Sequence, residues 1–153
     1  MLLHEVSRLP YELADQYKAM ERNKPRIYDG QFPEPDMEVR TDAVRRTCSS
    51  FLPGAEKLQD RLHHLPNKIG DDLASLIGYS RTLNHLAQRC LDATQRTVNP
   101  AQAQNALLME VGSVRSYIEL FQEAAIPFAN EFRAFVGIEP YDYSGCALSK
   151  NAN

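Results

Sequence analysis

The sequence predicts an all-α fold: an antiparallel up-down helical bundle, three long helices plus a shorter N-terminal helix. Three observations carry this expectation. Apolar residues recur at alternating spacings of three and four through most of the chain, which is the period of one helix face. Leu and Ala together number 33, against 18 for Val, Ile and Thr, a bias toward helix over strand. Nine prolines punctuate the chain, and the stretches between Pro66, Pro100 and Pro127 are long and proline-free. Proline lacks the amide hydrogen a helix interior needs, so it marks starts, stops and kinks.

The first helix places Leu2, Val6, Leu9, Leu13, Tyr17 and Met20 on one face, with Pro10 limiting its early part. Residues 23–36, NKPRIYDGQFPEPD, hold three prolines and no helical period, the composition of a loop. Its Tyr28 and Phe32 are expected to pack on the body or to anchor a partner. The second segment reads Val44, Cys48, Phe51, Ala55, Leu58, Leu62, Leu65. Its phase holds across Pro53-Gly54, which predicts one kinked, continuous helix.

The third segment reads Ile69, Leu73, Leu76, Ser80, Leu83, Ala87, Cys90, Thr94. It predicts a helix from about Lys68 to Thr97, roughly 45 Å long at 1.5 Å per residue. The fourth carries Leu107, Val111, Val114, Ile118, Phe121, Ala125, Phe128, Phe132 and Phe135, spaced alternately by four and three. Asn99 serves as its N-cap and Pro100 as its first helical residue. Pro127 falls inside the pattern and should kink or split the helix. Gly137 followed by Pro140 predicts the stop. The expected organisation is one domain over 1–138, then a mobile C-terminal tail over 139–153.

Strict three-four spacing suits helices packed at small crossing angles. Short connections near Pro66 and Pro100 force antiparallel neighbours. Long helical hairpins often complete their core with a second copy, so a homo-oligomer is expected.

Composition narrows the function classes. The chain has 153 residues, 43% hydrophobic and 24% charged, with a formal charge of −3. These are the values of one globular domain, not of a disordered chain or an overall basic nucleic-acid binder. No apolar run approaches the length needed to span a membrane, and MLLHEVSRLP lacks the form of a signal peptide. Three cysteines, an odd number, do not make a disulfide scaffold and point to a reducing, cytoplasmic setting.

Catalytic and metal signatures do not emerge. The only acid-x-x-His is Asp60-x-x-His63, and the chain has neither His-Glu-x-x-His nor Cys-x-x-Cys. No metal site and no cofactor are therefore expected. His63-His64 reads as a polar helix end. A hairpin turning near Asn67 would bring Cys48 within a turn of Cys90, two small buried hydrophobes. His85 points outward from the third seam. An exposed histidine on a bundle helix resembles histidine phosphotransfer domains, which place a Lys and a Gly shortly after it. The sequence His85-Leu86-Ala87-Gln88-Arg89-Cys90 has no such Gly. The helical ribonucleases with Arg, four to six residues, then His differ in spacing: only three residues separate Arg81 from His85.

Charge is unevenly placed. Residues 39–100 carry nine Lys/Arg against six Asp/Glu, whereas residues 101–143 hold six acids against Arg115 and Arg133. Arg81, His85, Arg89 and Arg96 share the outer face of the third helix, with Gln88, Asp92 and Gln95 beside them. The leading expectation is a non-enzymatic bundle acting by protein–protein interaction, as an adaptor, inhibitor or assembly subunit. Its partner would present an acidic surface to those four residues, with Tyr28 and Phe32 as further anchors. A second reading is a nucleic-acid-associated regulator using the same basic face; Asp92 and the lack of interleaved aromatics count against it. A third is a histidine phosphotransfer-like module centred on His85.

Overall fold

The structure, a computed structural model, describes residues 1–21, 37–96 and 99–149, without the side chains of residues 37–39 and Gln104. The described residues form an all-α fold, with no strand among them. Helix α1 spans Leu2–Glu21, α2 spans Met37–Thr47 and α3 spans Pro53–Lys57. A 3₁₀ helix follows over Gln59–His64, then α4 over Asn67–Gln95 and α5 over Pro100–Phe135. Helix α4 packs along α5, α1 along α5 and α2, and α2 along α4, so these four enclose one core.

The seams of α4 and α5 are buried as their spacing requires. Leu73, Leu83, Ala87 and Cys90 of α4 have no exposed surface, and neither do Leu107, Ile118 and Phe121 of α5. Phe121 stands at the middle, with the Phe51 ring edge-on at 6.2 Å and the Tyr79 ring stacked at 5.7 Å. Phe135, the last seam position, is 47% exposed because the helix ends there. Asn99 accepts the Ala101 amide through its side chain and caps α5. At the other end Gly137 takes φ 76°. There the Ile138 amide reaches the Arg133 carbonyl at 2.8 Å, and the Gly137 amide that of Ala134 at 3.0 Å, the paired closure a left-handed glycine permits. Pro127 lies within α5 without ending it, as Pro10 lies within α1.

The second segment differs from expectation. It is not a continuous kinked helix: α2 stops at Thr47, and α3 and the 3₁₀ helix follow as short separate pieces. Two long helices and a 20-residue α1 therefore replace the expected three long and one short. The physical reason is that other elements satisfy the broken backbone better than a kink would. Asn84 of α4 donates to the Thr47 and Ser49 carbonyls at 2.7 and 2.8 Å. Ser80 accepts the Phe51 amide at 3.1 Å. Glu5 of α1 accepts the Gly54 and Ala55 amides at 2.8 and 3.1 Å, so its carboxylate caps α3 across a long sequence distance. Gly54 leaves room for this, since a β-carbon there would lie 2.5 Å from the Glu5 carboxylate. Val44, Phe51, Ala55 and Leu62 are buried nonetheless. Cys48, Leu58 and Leu65 of the same seam are only half-buried, and Leu52 outside it is fully buried, so the apolar phase survives in part.

The stretch after Gly137 packs back on α1 and α5 through Leu148. Tyr143 and Cys146 are 3% and 4% exposed. The contact to α1 is made at the Ser7 carbonyl, which accepts the Tyr143 hydroxyl at 3.1 Å. Buried Gln122 of α5 then ties three segments: it donates to the Pro10 and Cys146 carbonyls and accepts the Leu148 amide.

Candidate partner-binding faces

Helix α4 is held on its inner side by the core and on one flank by α2 and the 3₁₀ helix. Its remaining face carries the basic residues singled out from the sequence. Turns of 100° per residue keep Arg81, His85, Arg89 and Arg96 within about 80° of one another. All four are exposed. They are not equally available. Arg81 donates to the Gln59 side chain at 2.8 Å and stands 3.8 Å from the Glu56 carboxylate. It braces α4 against α3 and the 3₁₀ helix as well as facing outward. The side chains of His85, Arg89 and Arg96 make no hydrogen bond or ion pair to another described residue. Gln88 donates to Asp92 at 2.9 Å, which places one orientated carboxylate within the basic ridge. Tyr28 and Phe32 lie outside the described residues.

Of the cysteines, Cys90 lies on the inner side of the same helix, and Cys48 just after α2. Cys90 is fully buried and Cys48 half-buried. Burial, then the Glu110 carboxylate and Cys48, push the Cys90 thiol up to about 11. Burial and Asp92 raise Cys48, with Arg45 opposing. Both are neutral thiols at physiological pH, the opposite of an activated nucleophile. Cys146 is raised by burial too. The His63 and His64 rings lie 3.9 Å apart, exposed at the end of the 3₁₀ helix. No group of three or more His, Cys, Asp or Glu suited to a metal ion occurs among the described residues. None of their helices is long and apolar enough to cross a membrane.

A second face went unremarked in the sequence. The side of α5 away from the core runs through Gln102, Asn105, Met109, Ser113, Ser116 and Leu120. It carries no charge until Glu123. Met109 is 79% and Leu120 46% exposed, and between them lies an open groove of about 580 Å³ floored by Gly112, Ser113 and Ser116. The signal was present in the sequence. A helix whose inner face is fully apolar normally carries charge on its outer face, and α5 does not over six turns.

A third cluster ties the C-terminal stretch to α1 and α5. The Tyr11 hydroxyl donates to that of Tyr141 at 3.1 Å, the Tyr141 and Tyr143 rings meet edge-on at 5.0 Å, and the Arg133 guanidinium lies over the Tyr141 ring at 5.8 Å. At the opposite end Arg115 joins α5 to α1, with Tyr17 and Glu21 at 3.0 and 2.7 Å. These groups act within the fold. No protein-family model matches this chain, and no curated protein or solved structure matches it significantly.

Proposed function

We propose that this protein is a non-enzymatic, single-domain helical bundle that works by binding another protein in a reducing, cytoplasmic setting. The helices run up and down, antiparallel, as the short connections at Pro66 and Pro100 favour. The partner presents an acidic surface to the α4 ridge. One observation carries the reading: the side chains of His85 and Arg89 on one face of a 29-residue helix, and of Arg96 at its C-cap, stand exposed without a partner among the described residues. A ridge fixed on a rigid helix loses little freedom when it binds, which favours recognition over a solvated loop. Arg81 contributes charge while its guanidinium stays braced by Glu56 and Gln59.

Charge reversal tests this. The variant Arg89→Glu with Arg96→Glu removes two cations and adds two carboxylates on exposed positions, so the fold should persist. Its affinity for the partner captured by the parent chain should fall by more than tenfold, mainly through slower association. Unchanged affinity would remove the ridge from the interface. Titration of the parent with duplex and single-stranded nucleic acid between low and moderate salt checks the rival reading; steeply salt-dependent binding would favour it. Retention of a phosphoryl group on His85 after incubation with a phosphodonor would favour the phosphotransfer reading.

A further inference from the structure

We propose that the outward face of α5 is where a second copy of this chain docks, as an antiparallel helix pair about a twofold axis. The proposal stands apart from the α4 ridge and uses neither its residues nor its partner. A twofold interface must fit itself, because each residue meets its mirror position on the other copy. The α5 face does so about a point between Val114 and Arg115. Met109 then falls opposite Leu120 of the other copy, and Ser113 opposite Ser116. The large, exposed residues close the two ends, and small residues meet in the middle, where the helix axes come nearest.

Charge agrees with the same register. From Gln102 to Gln122 the outward face holds no ionised group, so no like charges are driven together. Glu123 comes level with Ala106 of the other copy, one residue from Asn105, whose carboxamide is a donor within reach of the carboxylate. Glu110 and Glu119 sit on opposite flanks of the helix and stay apart. Among the described residues nothing covers this face, and Met109 at 79% exposure is, after Met1, the most exposed large apolar side chain among them. The stripe from Gln102 to Pro127 is about 38 Å long. Paired with itself it hides on the order of 800 Å² in all, less than stable specific interfaces bury and within the range of weak, transient ones. The dimer is therefore weak and reversible.

Sedimentation equilibrium of the intact chain from micromolar to millimolar concentration should show a reversible monomer–dimer equilibrium. Ser116→Glu places two carboxylates near the axis and should weaken dimerisation at least tenfold. Helical circular dichroism and melting of the dilute monomer should stay as in the parent, because Ser116 is exposed. Register is tested in a Cys48→Ser background. A mixture of Met109→Cys and Leu120→Cys chains should cross-link on mild oxidation. Either chain alone should not, because its own thiols would sit about 16 Å apart along the axis, beyond disulfide reach. A monomer at every concentration, a dimer indifferent to Ser116→Glu, or equal cross-linking of the single variants would each overturn the proposal.

Discussion

Gln122 shows how much one buried polar side chain can organise. Its carboxamide makes three hydrogen bonds to backbone groups of α1 and the C-terminal stretch, so its burial leaves no unmet donor or acceptor on those contacts. Cys90 is the opposite case: a buried group whose charged form has nothing to meet it. Its thiol stands at about 11 in the fold against 9.0 when unperturbed. A raised value means that its stabilising contribution is complete below pH 9 and is lost as pH rises toward 11, where the unfolded chain ionises first. Urea melts at pH 8 and pH 11 should therefore differ, with about 2 kcal/mol of the loss assignable to Cys90. Cys90→Ala lowers stability at both values but flattens that part of the slope. An unchanged slope would show that the thiol does not titrate against burial. Cys90 was readable as buried, from its seam position. Gln122 was not, because it sits between seam residues and its partners are carbonyls far along the chain.

At the scale of elements, periodicity proved a guide to burial more than to helix. In α4 and α5 the two coincide: Asn99-Pro100 opens α5 and Gly137 closes it as their chemistry requires. Between Val44 and Leu65 they part. The buried positions keep their spacing, yet the backbone breaks, since Ser80, Asn84 and Glu5 supply the bonds a helix would have made. Those donors and acceptors lie on other elements, and no local pattern announces them. The shortest helix depends most on this help. Glu5→Ala strips the acceptor from two amides at the start of α3 and should cost about 1–2 kcal/mol. Glu5→Gln keeps a carbonyl oxygen there and should cost about half as much. Denaturant midpoints of the two variants provide the check, and equal losses would mean that the carboxylate does not cap α3. The basic ridge of α4 was legible because it needs only the helical wheel. That Arg81 is shared with Glu56 and Gln59 was not, because it depends on where the broken segment travels.

The whole molecule is closed by a segment with no helical pattern at all. Residues 139–149 bring Tyr143 and Cys146 into the core and reach over the Pro10 turn. Ending the chain at Gly137 would uncover the surface on which Tyr143 and Cys146 pack and leave Gln122 with two of its bonds unmade. Unfolding free energy should drop by about 3–5 kcal/mol, read as a lower urea midpoint, while the helical signal of the folded state changes little. A truncated chain as stable as the parent would show the contacts to be passive. The sequence hid this closure because burial here follows isolated aromatic and thiol side chains instead of a period.

The bonds that Asn84 and Ser80 make to the stretch between α2 and α3 also bear on the order of assembly. That stretch emerges from the ribosome before the groups that shape it, which belong to α4, and α4 gains its own support from α5, which follows it in the chain. The amino-terminal half thus awaits a template that only later synthesis provides, so folding is completed against the direction in which the chain is built.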